Sequence, residues 1–451
     1  MLEKNQEYIV KIEDNGYKGE GIAKINNFTV FIPNAIKGEK VKILIVKVLA
    51  THAFGKLIEI IDKSPYRIDE VCSIYKKCGG CTYRHIDYSH TLEMKTENVK
   101  NCLRKQKLDI SSIKNIIGMG NPYYYRNKLQ YPLGIGKDGK PVIGIYSERS
   151  HDIVPIKNCE IQNELSQEIA NEIYKFILKY NIEIYNEKSL SGILRHVVIR
   201  IGIYTGEVMV TLVTNKRVIP KQKELILTLT QKYPQIKTII KNINNKNTNV
   251  ILGTENETIY GNGYIYDILG DYKFKISPLS FYQTNPVQTE LLYNLVLEKA
   301  ELTGNEIVFD LFCGIGTIGI FMAKRAKKVY GIEVIEDAIK DAKENAKINN
   351  INNIEFYAGK VEEVLKTLSI NPDVIVIDPP RKGCEQSTIE TILKLKPNKI
   401  IYVSCNPATL ARDLEMLRKC YNVNEVQPVD MFPFTIHVEC CSVLSLKDLI
   451  Q

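Results

Sequence analysis

The second half of the chain, from about Lys275 onwards, alternates strand-length apolar runs with amphipathic segments of helix length. This alternation is typical of βαβ units, and it predicts a mostly parallel sheet. In such sheets, ligands bind in the crevice outside the carboxyl ends of the strands. Candidate functional residues are therefore expected directly after the apolar runs.

A glycine-rich loop follows the first of these runs. Residues 307–310 form a short β-rich run, Gly314, Gly316 and Gly319 follow, and the next run ends at Glu333. The glycines allow a tight turn and a close approach of the backbone to a ligand, while the acid can accept hydrogen bonds from both ribose hydroxyls. The spacing is a GxGxxG, so a dinucleotide such as NAD competes with other nucleotide cofactors at this point.

Two acids favour S-adenosylmethionine over NAD. Asp310 stands four residues before Gly314, where it can receive the ammonium of the cofactor's amino acid end, which NAD lacks. The fourth strand ends in DPPR at 378–381, as in many Rossmann-like methyltransferases. The sequence thus predicts a Rossmann-like methyltransferase domain, with an NAD-dependent oxidoreductase as the less favoured alternative.

Cys405 ends another apolar run, just before a helix predicted over residues 408–419. If the methyl acceptor is C5 of a pyrimidine such as uracil, which is a poor nucleophile, its methylation requires a thiolate that adds to C6 and a base that removes the C5 proton. We expect the helix to lower the pKa of Cys405, which suits the nucleophile. Glu439, an acid within an apolar run, is the predicted base, and His437 is the fallback.

Five motifs carry a specific family resemblance. They are FYQTN at 281–285, DLFCG at 310–314, DPPRKG at 378–383, SCNPAT at 404–409 and HVE at 437–439. In this order and spacing, the chain resembles the RNA uracil-C5 methyltransferases. The resemblance implies that Cys405 is the nucleophile and Glu439 the base. It also implies four S-adenosylmethionine contacts, which are Gln283, Phe312, Glu333 and Asp378. Lys360 stands where some relatives have an asparagine that contacts adenine.

Four cysteines in the first 160 residues have the spacing of a metal-binding set. Cys72, Cys78 and Cys81 form C-x₅-C-x₂-C, and Cys159 supplies a possible fourth thiolate. Four thiolates suit either an iron–sulfur cluster or structural zinc, and the spacing alone does not choose between them. The rRNA branch of the family carries a [4Fe-4S] cluster on this pattern, so the resemblance implies iron here.

The first sixty residues contain short apolar runs separated by turn signals. Strands are predicted over 7–13, 28–32, 40–48 and 55–60, and a small closed β-barrel is the economical solution. GEGIA at 19–23 and VFIPNA at 30–35 resemble the TRAM domain, an OB-like barrel attached to RNA-modifying enzymes. We predict an α/β protein with three domains, namely a TRAM-like barrel at 1–63, a central α/β region with the cysteine cluster at 64–271, and the methyltransferase domain at 272–451.

Positive charge is concentrated around a predicted helix over residues 91–107. The chain carries a net charge of +8, and residues 76–107 hold eight Lys or Arg against three acids. Tyr83, His85 and Tyr88 interleave with these charges, as expected for an RNA-binding surface. The cluster-bearing pattern favours 23S rRNA as the substrate over tRNA. A tRNA uracil-C5 methyltransferase and a non-catalytic RNA-binding assembly factor are the alternatives.

The sequence offers no membrane or export signal. No apolar run approaches the roughly 20 residues needed to span a bilayer, and the first six residues lack an apolar signal region. We therefore expect a cytoplasmic protein with no membrane association and no obligate protein partner. In that compartment the eleven cysteines are not expected to form a disulfide framework.

Overall fold

The computed structural model describes residues 2–69, 72–148 and 150–448. These residues form one six-stranded sheet, two seven-stranded sheets and a separate hairpin. No helix among them is long and apolar enough to cross a membrane. All eleven cysteines are free thiols.

The N-terminal sheet pairs its strands in the order β1-β5-β6-β4-β3-β2. The strands are β1 Glu7–Lys11, β2 Asp14–Asn15, β3 Gly21–Ile25, β4 Phe28–Ile32, β5 Lys40–Val48 and β6 His52–Asp62. Alternate residues of β5, namely Val41, Ile43 and Ile45, are fully buried in its core. The predicted strands 28–32 and 40–48 have the observed bounds. The sequence missed β3, because Gly19 and Gly21 resemble turn residues.

A single helix, α1 Tyr88–Lys105, connects this sheet to the rest of the chain. It begins three residues earlier than predicted, because the Asp87 side chain accepts hydrogen bonds from the N–H groups of Ser89 and His90. Val99 and Leu103 of α1 pack in the same core as the last sheet of the molecule. The basic helix is therefore attached to that sheet.

The central sheet has the strand order β13-β12-β11-β10-β7-β8-β9. Its elements are β7 Lys128–Ile135, β8 Pro141–Tyr146, β9 Ile153–Pro155, α2 Glu164–Tyr180, β10 Leu194–Ile201, β11 Val208–Thr214, α3 Gln222–Lys232, β12 Ile236–Ile243 and β13 Glu255–Gly261. Residues of α2 and α3 share a core with one face of this sheet. Asn242 near the end of β12 is buried, and its side-chain amide donates to Gly253 O at 2.9 Å.

A hairpin of β14 Ile265–Leu269 and β15 Tyr272–Ile276 leads into the last sheet. Ile265 and Leu269 of β14, with Phe274 and Ile276 of β15, are fully buried in one core with α4, Pro286–Ala300, and with the last sheet. The hairpin therefore packs against α4 and the last sheet.

The last sheet confirms the mostly parallel arrangement expected from the alternating pattern. Its elements are β16 Ile307–Leu311, α5 Thr317–Ala323, β17 Lys328–Glu333, α6 Glu336–Ile348, β18 Ile354–Ala358, α7 Val361–Thr367, β19 Val374–Ile377, α8 Gln386–Leu395, β20 Lys399–Ser404, α9 Pro407–Leu417, β21 Tyr421–Val429 and β22 Glu439–Leu446. The order is β18-β17-β16-β19-β20-β22-β21. The first five strands are parallel, and β22 runs antiparallel to both of its neighbours. This is a Rossmann-like methyltransferase fold.

Candidate active site

Residues predicted to be functional converge at the carboxyl edge of the last sheet. Leu311 of β16 is in register with Ile332 of β17 and with Ile377 of β19. Phe312, Glu333 and Asp378 each follow one of these residues directly, so all three emerge at one edge. The strand order reverses between β16 and β19, which is where open α/β sheets bind their ligands.

The glycine loop after β16 has the conformation that close approach to a ligand requires. Phe312, Gly314 and Gly316 all have positive φ angles, of 65°, 55° and 80°. A Cβ atom at Gly316 would lie 2.8 Å from the ring of Phe356, so a larger residue has no room there. The Gly314 N–H donates to Glu333 at 3.2 Å, which joins the first loop to the end of the second strand.

Asp310 is a fully buried acid beneath this loop. One carboxylate oxygen accepts from the Gly319 N–H at 2.8 Å, and the other has no hydrogen-bond partner among the described residues. Burial, with the charges of Asp378 and Glu333, raises the pKa of Asp310 to about 8. An unpaired buried carboxylate oxygen is costly, and it fits a cationic group such as an ammonium.

Glu333 lies at the carboxyl edge, and Gln283 lies on the loop between β15 and α4. Glu333 accepts from the Ile335 N–H at 3.0 Å, and the apolar Val334 and Ile335 beside it are both 59% exposed. Gln283 is buried on the loop before α4, and its backbone carbonyl accepts a hydrogen bond from the Asn127 side chain at 2.9 Å. Lys360 is exposed and pairs with Glu363 at 3.3 Å.

Cys405 and Glu439 lie at neighbouring ends of two antiparallel strands. The last residue pair of β20 and β22 is Ser404 with Cys440. Cys405 follows Ser404 and Glu439 precedes Cys440, so the two residues lie just beyond this pair, and the charge of Glu439 acts on Cys405. Cys405 is half-buried and lines a cleft of about 440 Å³, while Glu439 is almost fully buried.

The pKa of Cys405 differs from the expectation. Burial, followed by the charge of Glu439, raises it to about 11, although the Arg381 guanidinium opposes this shift. The helix expected to lower this pKa has few free N–H groups at its start. Asn406 accepts from the Ala408 N–H at 3.1 Å, and Pro407 has no N–H to offer.

Glu439 has the electrostatic environment of a proton-transfer group. Burial and then the charge of Asp378 raise the pKa of Glu439 to about 8, and Arg381 again acts in the opposite direction. Burial raises the pKa of Asp378 to about 7. A carboxyl group whose pKa lies near neutral pH can both accept and release a proton there. The sequence did not single out Arg381 as a site residue, although it belongs to the DPPRKG motif.

His437 lines the same cleft as Cys405. Burial, followed by the charges of Arg381, Lys95 and Arg126, lowers the pKa of His437 to about 4. Its ring lies edge-on to Phe432, with 6.0 Å between the centroids. A neutral imidazole with so low a pKa is a weak base, which favours Glu439 for that role.

The connection between β21 and β22, residues 430–438, is held by parts of the chain more than 300 residues away. Lys95 of α1 donates to Asp430 at 2.5 Å and to Phe432 O at 3.0 Å, with both charged side chains fully buried. The backbone N–H groups of Thr82 and Tyr83 donate to Phe434 O at 2.8 and 2.9 Å. This connection leads directly to Glu439, so α1 and the cysteine-bearing segment fix its path.

The four predicted metal ligands lie around one cavity. Cys72, Cys78, Cys81 and Cys159 all line it. Burial, with repulsion from the neighbouring thiolates, raises the pKa of Cys78 to about 11 and that of Cys81 to about 12. In the described part of the chain, however, no group of three or more His, Cys, Asp or Glu side chains is arranged to hold a metal ion. The iron–sulfur cluster therefore stays a prediction.

Comparison with known proteins identifies relatives along nearly the whole chain. A family model described as tRNA (Uracil-5-)-methyltransferase matches residues 163–447, and a TRAM domain model matches residues 2–58. An uncharacterized RNA methyltransferase of Clostridium acetobutylicum is 51% identical over 99% of this chain and 98% of its own length. One from Oceanobacillus iheyensis is 44% identical over the same shares. The crystal structure of Pyrococcus abyssi tRNA (uracil-54, C5)-methyltransferase with S-adenosyl-L-homocysteine is 30% identical, with a TM-score of 0.79, over 97% of this chain and 99% of that one.

Alkylation of Cys405 tests the arrangement of Cys405 and Glu439. Only the thiolate reacts, so the rate with iodoacetamide should rise about tenfold per pH unit between about pH 7 and 10, because the pKa of Cys405 is about 11. Above about pH 8, Glu439→Gln removes a negative charge that raises the pKa of Cys405, and should accelerate alkylation at a fixed pH in that range. Mass spectrometry of the Cys405 peptide gives the rates.

The control variant is Glu390→Gln, which removes an exposed carboxylate from α8. Its alkylation rates should match those of the wild type. A plateau below about pH 9 in the wild type, or equal rates in the wild type and Glu439→Gln above about pH 8, would contradict the arrangement.

Proposed function

The chain belongs to the RNA uracil-C5 methyltransferase family with an N-terminal TRAM domain, and from that premise we propose that it methylates C5 of uridine in 23S rRNA through a covalent adduct on Cys405. The observation that carries the proposal is that Cys405 lines the cleft while the buried Glu439 lies close enough for its charge to act on Cys405. A thiol and a carboxyl group so placed can act on neighbouring carbons of one ring.

Cys405 would act first, as a thiolate that adds to C6 and converts the uracil to an enolate. Bound S-adenosylmethionine supplies an electrophilic methyl group and a positive charge that favours the thiolate. C5 of the enolate would take the methyl group as its bond to the sulfonium sulfur breaks, which leaves S-adenosylhomocysteine. Glu439 then removes the C5 proton, the double bond between C5 and C6 reforms, and the Cys405 thiolate leaves. Arg381 assists both residues, since its charge favours their ionised forms.

Six residues at the carboxyl edge are proposed to bind S-adenosylmethionine. They are Gln283, Asp310, Phe312, Gly314, Glu333 and Asp378. The unpaired oxygen of Asp310 fits the ammonium of the methionine end, which favours this cofactor over NAD. Glu333 fits the ribose hydroxyls, and the exposed Val334 and Ile335 next to it offer apolar surface to the adenine.

The choice of 23S rRNA rests on the cysteine pattern. We propose a [4Fe-4S] cluster on Cys72, Cys78, Cys81 and Cys159, supported by their convergence around one cavity. Cluster irons are themselves separated in space, so their ligands need not surround a single point as zinc ligands do. Its role would be structural, because the segment that carries it also hydrogen-bonds Phe434.

A tRNA uracil-C5 methyltransferase is the second candidate. The observation in its favour is the likeness to the Pyrococcus abyssi enzyme, whose substrate is tRNA. A non-catalytic RNA-binding assembly factor is the third. The proposal keeps the domain limits predicted at 63/64 and 271/272, although the hairpin of β14 and β15 packs with the last sheet from both sides of the second limit. It also includes a cytoplasmic location and the lack of an obligate protein partner.

Two variants separate the roles of the catalytic pair. With an unmodified 23S rRNA transcript and methyl-labelled S-adenosylmethionine, Cys405→Ala should form no methylated RNA and no covalent complex, because no thiolate adds to C6. Glu439→Gln should still add and methylate, but it cannot remove the C5 proton. A labelled protein–RNA adduct that survives denaturation should therefore accumulate on gels.

Glu390→Gln is the matched control for this experiment and should turn over like the wild type. Normal turnover by Glu439→Gln would show that Glu439 is not the base, and His437 would then be the candidate for that role. An adduct formed by Cys405→Ala would exclude Cys405 as the nucleophile. Binding without transfer in the wild type would favour the assembly factor.

Anaerobic purification tests the cluster. The protein should be brown and contain about four irons per chain, and Cys78→Ser should bleach it because one of four thiolate ligands is lost. Iron analysis and visible absorbance are the measurements, with Cys420→Ser, outside the set, as the control that keeps its iron. Stoichiometric zinc without iron would contradict the iron assignment.

A further inference from the structure

A group of three cations lies where the central sheet meets the loop before α4. We call Arg126, Lys128 and Arg200 the cation cluster. Lys128 and Arg200 are directly opposite each other in the antiparallel pair β7–β10. Arg126 is near enough for its charge to act on Lys128. Two like charges facing each other across neighbouring strands destabilise a sheet, so this arrangement costs stability in the free protein.

Arg200 is buried, Arg126 and Lys128 are partly buried, and all three lack a counter-charge among the residues that the structure describes. Arg200 is only 3% exposed; its Nη2 donates to Ser280 O at 3.0 Å, and its Nη1 has no hydrogen-bond partner. The Arg126 Nε and the Thr284 hydroxyl are also buried without partners. Across residues 2–69, 72–148 and 150–448, no carboxylate forms an ion pair with any of the three cations. Burial and the two arginines together lower the pKa of Lys128 to about 7.

Unpaired donors of this kind are rare in folded proteins, because most buried polar groups have a partner. Burying a cation without a counter-charge destabilises the free protein. An anionic ligand would supply the missing acceptors and the missing charge together. Guanidinium groups bind oxyanions with two parallel hydrogen bonds, which suits the free Arg200 nitrogen beside Lys128.

The surroundings connect the cation cluster to the active site. The loop whose Ser280 carbonyl accepts a hydrogen bond from Arg200 also contains Gln283. The backbone carbonyl of Gln283 accepts a hydrogen bond from the Asn127 side chain. The same loop exposes the ring of Phe281, which is 69% accessible to solvent. On the other side, the charge of Arg126 acts on His437, which lines the cleft beside Cys405. An anion held here would therefore lie next to the substrate.

We propose that the cation cluster binds the phosphodiester backbone of the substrate RNA beside the target uridine. This inference rests on the proposed function, since it assigns a contact of the same substrate. The carboxylate of S-adenosylmethionine is another oxyanion, but three cations match successive phosphates better than a single carboxylate. The exposed Phe281 ring offers a stacking surface for a neighbouring base, which a cofactor carboxylate does not need.

Lys128→Met tests the site through binding rather than turnover. RNA affinity, measured by filter binding to the unmodified 23S rRNA transcript, should fall roughly tenfold at low salt. The slope of log K against log salt, between about 50 and 200 mM KCl, should become shallower by about 0.7 to 0.9 because one phosphate contact is lost. The affinity for S-adenosylhomocysteine should not change, and the melting temperature should not fall, since the variant removes an uncompensated charge.

Lys366→Met, which removes an exposed lysine from α7, is the control with the same change of charge, and should keep the wild-type slope. Arg200→Lys keeps the charge but loses the guanidinium geometry, so it should retain the slope while affinity falls. An unchanged RNA affinity and slope in Lys128→Met would overturn the proposal. A parallel loss of S-adenosylhomocysteine affinity would overturn it in favour of the cofactor carboxylate.

Methyl transfer by the wild type is assayed separately on the same transcript. A wild type that binds RNA but transfers no methyl group would contradict the proposed function. The binding comparison between the wild type and Lys128→Met would still decide whether the cation cluster contacts RNA, so the two failures are distinguishable.

Discussion

The antiparallel insertion of β22 between β20 and β21 is the constraint on which the active site depends. In a parallel sheet, the residues that follow neighbouring strands all lie at the same edge, the one formed by the carboxyl ends. Because β22 begins at that edge and runs back, Glu439 meets Cys405 from the opposite strand. A shift of the register by one residue would turn every side chain of β22 to the other face. Cys440 and Leu444 pack in one core and Cys441 in another, so such a shift would exchange side chains between two filled cores.

The path into β22 depends on residues far away in the sequence. The pair of Lys95 with Asp430 is fully buried, and removing one partner from such a pair typically costs about 3–5 kcal/mol. Thr82 and Tyr83 hold Phe434 from the segment that carries the predicted cluster ligands. The basic helix and the cysteine segment therefore act on the catalytic geometry as well as offering surface to RNA. These contacts attach α1 and the cysteine segment to the connection that leads into β22 of the methyltransferase sheet.

Local sequence patterns predicted much of this structure, and contacts between residues far apart in the sequence determine the rest. The strands 28–32 and 40–48, the parallel sheet and the glycine loop follow from periodicity and turn residues, which are properties of neighbouring positions. The pKa of Cys405 could not be read this way, because it depends on burial and on the charge of Glu439 across the sheet. The pairing of Lys128 with Arg200 depends on strand register, so the sequence offered no sign that two cations would share a buried site.

Substrate identity is the central claim, and mapping 5-methyluridine in the organism tests it most directly. Nucleoside mass spectrometry would be applied to purified 23S rRNA and tRNA from a wild-type strain, from a strain lacking this gene, and from that strain complemented with the wild type or Cys405→Ala. The account predicts that 5-methyluridine disappears from 23S rRNA in the deletion strain, remains in tRNA, and returns only with the wild-type gene. Loss from tRNA alone, or full restoration by Cys405→Ala, would contradict it.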